Sequence, residues 1–207
     1  MAGSVRQYGD DEKSLRHRKR LGTQELMMQF WPGIAYFLGA LAFMEGVAYV
    51  GHRWVMHGFM WNLHKSHHEP RQGRFEKNDW FAVMGAVPAI ALIVWGSLNG
   101  FNAAWWIGMG ITGYGAIYAG FHDIIVHRRL AHSWNPQGRY LKRIVQAHRL
   151  HHVVETRDGT VSFGFLWAPP IRELKAKLEA DGRGRIRASA KMKAEMGMVE
   201  NAEHWAR

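Results

Sequence analysis

Three stretches of the chain are almost purely apolar, and the polar residues crowd around them. Residues 30–50, "FWPGIAYFLGALAFMEGVAYV", carry one charge, Glu45. Residues 80–98, "WFAVMGAVPAIALIVWGSL", and 103–121, "AAWWIGMGITGYGAIYAGF", carry none. A helix of ~19 residues is roughly 28 Å long, close to the thickness of a bilayer core. The pattern predicts three membrane-spanning helices. Trp80, Trp95, Trp105 and Trp106 lie toward the span ends, where aromatic belts form. Pro88 and the many glycines are tolerated in such helices. Three blocks of this kind in 207 residues argue against the alternative, buried helices of a soluble core.

The second and third blocks are joined only by "NGFN", Asn99 to Asn102. So short a link predicts a helical hairpin, which returns the chain to the side it left. Asp79 and His122 are then expected on the same face of the membrane. The first block is open to two readings: a spanning helix, which we favour, or a re-entrant one broken at Pro32, Gly33, Gly39 or Gly46.

Charge bears on orientation. The chain has 27 Lys and Arg against 17 Asp and Glu, a formal net charge of +10. Six of the 27 lie in residues 1–29, so a spanning first block puts 21 on the side that carries the polar segments 51–79 and 122–207. The positive-inside rule makes that side cytoplasmic, although the basic tail argues against it. Residues 1–29 read as a disordered tail or as a segment drawn to anionic lipid. Residues 172–207 are charged and helix-prone, expected on the membrane surface or partly disordered. Because the basic residues flank apolar spans, lipid headgroups explain them better than nucleic acid does. The domain organisation expected is therefore a basic tail, 1–29, an embedded domain, 30–171, and a charged tail, 172–207.

Histidine changes the picture most. The chain has 13, and ten of them follow a pattern. His52 and His57 make H-x4-H, and His64, His67 and His68 make H-x-x-H-H. His122 and His127, then His148, His151 and His152, repeat both motifs, with twenty rather than six residues between them. On a helix, positions i, i+3 and i+4 share a face, so each H-x-x-H-H is expected to point its rings at one small volume. The H-x4-H pairs do not fit: five residues turn an α-helix by roughly 140° beyond a full turn. Either these pairs serve different ions or the helix loosens where it leaves the membrane. With no cysteine, thiolate and cysteine-held iron–sulfur sites are excluded. Ten imidazoles exceed one closed four-ligand site and divide into five for each of two ions, leaving each an open position. Imidazole suits Fe, Zn, Cu and Ni. Glu45, Asp79 and Asp123 are candidates to accept the rings' outer N–H groups. His17 and His204 are expected to be surface residues. His132 has no counterpart in the first half and is expected not to be a ligand. The fold class is thus all-α: an integral membrane bundle of about three to four spans, with a histidine-rich cytoplasmic cap holding a dimetal site.

Between Glu45 and Pro170 these motifs become specific. "HRWVMHGFMWNLHKSHHEPRQGRFEKNDWFAV", "FHDIIVHRRL", "YLKRIVQAHRLHH" and "VSFGFLWAPP" closely resemble the bacterial β-carotene 3-hydroxylase family, within the fatty acid hydroxylase / sterol desaturase superfamily. "LAHSW" after His127 departs from the aromatic-proline stretch of that family. The resemblance implies a non-haem di-iron monooxygenase in the bacterial inner membrane. Its metal ligands would be His52, His57, His64, His67, His68, His122, His127, His148, His151 and His152. It would hydroxylate carbon 3 of the β-ionone ring, taking β-carotene through β-cryptoxanthin to zeaxanthin. O2 would be the co-substrate and reduced ferredoxin, with its reductase, the electron source. A carotenoid 4-ketolase or a lipid hydroxylase would share the metals. A histidine-rich metal-binding or transport protein is the non-enzymatic alternative. Transport calls for ligands along a path through the membrane, and none of the three apolar blocks contains a histidine.

Overall fold

The computed structural model describes residues 27–28, 30–69, 73 and 75–181. His17, His204 and most of the two expected tails lie outside the described residues. Within them the chain is all helix and loop, with no strand, as the pattern predicts.

Helix α1, Phe30–Phe59, runs unbroken through Pro32 and all three glycines at which a re-entrant turn could form. The re-entrant reading therefore fails: residues 30–50 stay helical throughout and satisfy their backbone within the helix, as lone chain in lipid must. Helix α2, Trp61–His68, follows after Met60. A 3₁₀ turn, Lys77–Asp79, leads into α3, Trp80–Leu98, which continues through Pro88. Among the described helices α1 and Lys77–Leu98 are long and apolar enough to cross a membrane. The third expected span forms α4, Ala103–Tyr118, which continues as a π-helix, Ala119–Val126. Helices α5, Arg139–His151, and α6, Ile171–Asp181, complete the order.

The α3–α4 hairpin is built at its turn and along its seam. Gly100 and Phe101 take left-handed φ values of 78° and 56°, and the Phe101 N–H donates to the Gly96 carbonyl at 2.8 Å. This closes the last turn of α3. Asn102 then caps α4, accepting the Ala104 N–H at 3.0 Å. Along the seam, a Cβ on Gly108 would lie 2.9 Å from the Ala89 carbonyl, and one on Gly110 would lie 2.5 Å from the Phe37 carbonyl of α1. Small residues let membrane helices approach this closely. The other faces are apolar and bare: Val83, Val87, Ile90, Val94 and Leu98 form a stripe down α3 and are exposed. An exposed apolar stripe of this length suits lipid rather than water.

α5 is amphipathic in the ordinary sense, burying Ile144, Val145, Ala147, His148 and His151. Leu174 of α6 is buried against Ala147, Val161 and Ala168. The first ten residues of the charged segment 172–207 thus belong to the folded body, because Ile171, Leu174 and Leu178 give α6 an apolar edge to bury.

The seam can be tested directly. Gly108→Val is expected to cost about 1–3 kcal/mol by forcing α4 off α3, and to lower the melting temperature in detergent. Gly85→Ala, where a Cβ meets nothing within 4 Å, is expected to hold or raise it. Thermal unfolding of both variants, followed by circular dichroism, checks this.

Candidate metal centre

The fold brings all ten patterned histidines together on one end of the hairpin. They do not sort by motif. One group holds His67, His122, His127, His148 and His152, whose candidate ligand atoms all lie within 4.8 Å of one another. The other holds His52, His57, His64 and His151 in the same manner. His68 joins it, with its Nε2 3.2 Å from that of His64. Each group therefore takes four nitrogens from one half of the chain and one from the other. His67 crosses in one direction and His151 in the other.

The expectation that an H-x-x-H-H triplet serves one volume is corrected here. On an α-helix the first and third histidines differ by roughly 40°, whereas the second and third differ by roughly 100°. His64 and His68 therefore stay together while His67 faces away from His68, and His151 parts from His148 and His152 in the same way.

The H-x4-H pairs are reconciled by the backbone. Gly51–Phe59, the end of α1, is π-helical, and so is Ala119–Val126. The His127 N–H donates to the His122 carbonyl five residues back, at 3.0 Å, and Met60 does the same to Val55 at 2.9 Å. A bond from i+5 to i stacks residues five apart on one face. The ring centroids of His52 and His57 then lie 5.3 Å apart, and those of His122 and His127 lie 4.5 Å apart.

Ring orientation is set from outside. His52, His57, His68 and His151 donate Nδ1–H to the carbonyls of Phe163, Arg157, Val154 and Val161 at 2.9–3.0 Å. His64 donates to Asn78 Oδ1 at 2.7 Å, His67 to Glu76 Oε2 at 2.9 Å, and His122 to Asp123 Oδ1 at 2.8 Å. With the proton on Nδ1, each Nε2 carries a bare lone pair. Yet these Nε2 atoms face each other: His52 and His64 at 3.2 Å, His57 and His151 at 3.1 Å, His67 and His122 at 3.0 Å. Opposed lone pairs at hydrogen-bond distance repel unless a cation lies between them. Two nitrogen–metal bonds of ~2.1 Å at a right angle place their nitrogens ~3.0 Å apart, so the residues fit a metal in each group. Burial also keeps the rings neutral, as ligands must be. It pushes His64 down to about 3, and it holds His67, His148, His151 and His152 well below the usual histidine value.

Of the three carboxylates expected beside the rings, Asp123 lies against His122. Asp79 sits one layer out, 2.6 Å from Arg129 and accepting the Glu76 N–H at 2.9 Å. Glu45 accepts no ring N–H among the described contacts; it is bound to Tyr114 and to the backbone of residues 165–167. Glu76 and Asn78 take the place reasoning from the sequence gave to Asp79 and Glu45. The available signal was "FEKND", an acidic and amide cluster one short loop after the first histidine triplet. Arg129 gathers the carboxylates, lying 3.4 Å from Glu76 and 3.8 Å from Asp123. His132 lies outside both groups: its ring nitrogens meet the carbonyls of Ile124 and Trp134 at 2.8 and 3.1 Å.

Comparison with known proteins follows the same residues. Residues 37–168 match the family described as Fatty acid hydroxylase. A protein of Pantoea ananas named "Beta-carotene hydroxylase" is 44% identical over 176 residues, 85% of this chain and 98% of the relative. One of the same name from Pseudescherichia vulneris is 50% identical over 149 residues, 72% and 84% of the two chains. "Beta-carotene 3-hydroxylase 2, chloroplastic" of Arabidopsis thaliana is 37% identical over 164 residues, 77% and 54%. No solved structure matches the chain. The matched stretch takes in all ten grouped histidines and the helices that carry them, and the chain belongs to the fatty acid hydroxylase family.

Proposed function

We propose that the protein is a membrane-bound di-iron monooxygenase that hydroxylates carbon 3 of β-ionone rings, converting β-carotene to zeaxanthin through β-cryptoxanthin. The observation that carries this reading is the pair of five-imidazole groups, their lone pairs opposed, at the end of lipid-suited helices. The names of the relatives supply the substrate class. We assign the ligand role to His52, His57, His64, His68 and His151 for one iron, and to His67, His122, His127, His148 and His152 for the other. The catalytic unit runs from the first apolar block through α6, in the bacterial inner membrane with the histidines on the cytoplasmic side. Reduced ferredoxin, with its reductase, delivers the electrons there.

Each turnover takes a ring C–H, O2, two electrons and two protons to a ring C–OH and water. When bound, the two irons supply the reduction of O2 and the oxidising power that breaks the C–H bond. The chain supplies the rest. Outward Nδ1–H bonds hold seven of the ten rings in fixed tautomers. Five nitrogens in each group leave room for one further ligand. Apolar helices admit a substrate dissolved in lipid, and the loops above them close the groups off from water. Carbon 4 is allylic and has the weaker C–H bond, so attack at carbon 3 follows from where the ring is held rather than from bond strength.

Expression in cells that accumulate β-carotene is expected to yield zeaxanthin, read by chromatography and mass spectrometry. Unchanged β-carotene from folded, iron-loaded protein overturns the reading, a ketone at carbon 4 moves it to the ketolase, and an altered acyl chain moves it to a lipid hydroxylase. His151→Ala is expected to abolish hydroxylation and to lower iron content below two per chain. His132→Ala is expected to keep both near wild type; metal analysis and product yield on the two variants check this.

A further inference from the structure

Glu45 is the one charged residue in the apolar length of α1, and its contacts are unusual. Oε1 accepts three consecutive backbone N–H groups, from Phe165 and Leu166 at 2.9 Å and from Trp167 at 3.1 Å. Oε2 accepts the Tyr114 hydroxyl of α4 at 2.8 Å. Glu45 lies seven residues before His52, two helical turns back toward the bilayer. The turn at 164–167 therefore dips to the depth of the apolar spans. Irregular backbone survives there only if its polar groups are satisfied within the protein, and one carboxylate satisfies three of them. The fit is tight. A Cβ on Gly164 would lie 2.6 Å from the Trp167 carbonyl and 2.9 Å from Glu45 Oε1.

The clamped turn presents Phe165, which is buried. Its ring stacks on His52 at 5.5 Å and 8°, and it reaches His122 at 5.3 Å and His148 at 5.7 Å. It thus touches both histidine groups from the membrane side. Tyr118 stands against it, 4.6 Å away and edge-on, while stacking on His122 at 4.4 Å and 23°. Between α4 and the turn, Tyr114, Ile117, Tyr118, Phe165 and Leu166 pack closely around His122, with no cleft among them large enough for water.

We propose that Glu45 is a positioning residue for the hydroxylation: by clamping the 165–167 turn it fixes Phe165 and Tyr118 as the membrane-side wall of the histidine centre, against which the substrate ring is seated. This rests on the reading of the protein as a carotenoid ring hydroxylase. A flat, partly unsaturated ring packs well against such aromatic side chains. The depth at which Phe165 stops it decides which ring carbon meets the metal centre. The carboxylate touches neither substrate nor metal and acts through the turn.

The test compares wild type with Glu45→Gln and Phe165→Leu, each iron-loaded and purified in detergent. Iron per chain, KM, kcat and the position of the new hydroxyl are measured on β-carotene. Glu45→Gln keeps the shape but weakens three charge-assisted bonds. It is expected to hold two irons, to lower kcat about ten- to a hundredfold, and to place part of its product away from carbon 3. Phe165→Leu, a milder change, is expected to shift product position in the same direction with smaller loss of rate. If Glu45→Gln and Phe165→Leu keep the wild-type rate and product position, the inference fails while the functional reading stands. If they lose iron in proportion to activity, Glu45 only builds the metal site and the inference again fails. If wild type leaves β-carotene untouched, the functional reading itself falls and takes the seat with it.

Discussion

The structure depends on one constraint: ten neutral imidazoles must hold their lone pairs against each other's repulsion. Nothing in the histidines themselves favours this. Left free, the rings would turn and donate to one another as ordinary tautomeric pairs. They are prevented by the partners of Nδ1, which commit the proton to the outer nitrogen of seven rings. An ion in each group would make good the energetic deficit inside, and the scaffold outside is arranged so that the deficit cannot relax by rotation.

That scaffold is assembled from unlike parts. One loop, residues 154–163, offers four carbonyls to four rings of the same group, so a single segment of backbone sets most of that group's orientation. The other group uses the carboxylates of Glu76 and Asp123, tied together by Arg129. The ligand sets are alike in kind, yet one is braced by neutral dipoles and the other by anions. Anions beside the outer N–H make a ring a stronger donor to its metal, so the two positions are electronically distinct before any substrate arrives.

Much of this was legible in the sequence, for physical reasons. Apolar blocks of bilayer length declare themselves, and a four-residue link between two of them leaves no topology but a hairpin, which puts Asp79 and His122 on the same face. Histidine is rare enough that ten in two repeated motifs can be recognised. The H-x4-H spacing was legible as a misfit to the α-helix, and the misfit marked the π-helical turns. What could not be read is equally instructive. The carbonyls of Val154, Arg157, Val161 and Phe163 serve rings, but a carbonyl belongs to every residue and leaves no trace in the one-letter code. Glu45 was visible as a charge in an apolar span; that it would bind a turn 120 residues away, rather than a ring, depends on long-range packing. The split of each histidine triplet between two groups was present in the helical angles, although the rule that i, i+3 and i+4 share a face concealed it.

The crossing of His67 and His151 has a further consequence. His52, His57, His64, His67 and His68 correspond in order to His122, His127, His148, His151 and His152, and each set lends its fourth member to the other. That is the arrangement of an isologous contact, in which residue i of one unit meets j of the next while j meets i, here folded into a single chain. The exchange has the pattern of a local pseudo-two-fold, and neither half encloses a complete group alone. A shift of the α2 turn at His64–His68 therefore moves ligands in both groups at once. The two histidine groups are thus one mechanical object, and neither can be loosened while the other is left undisturbed.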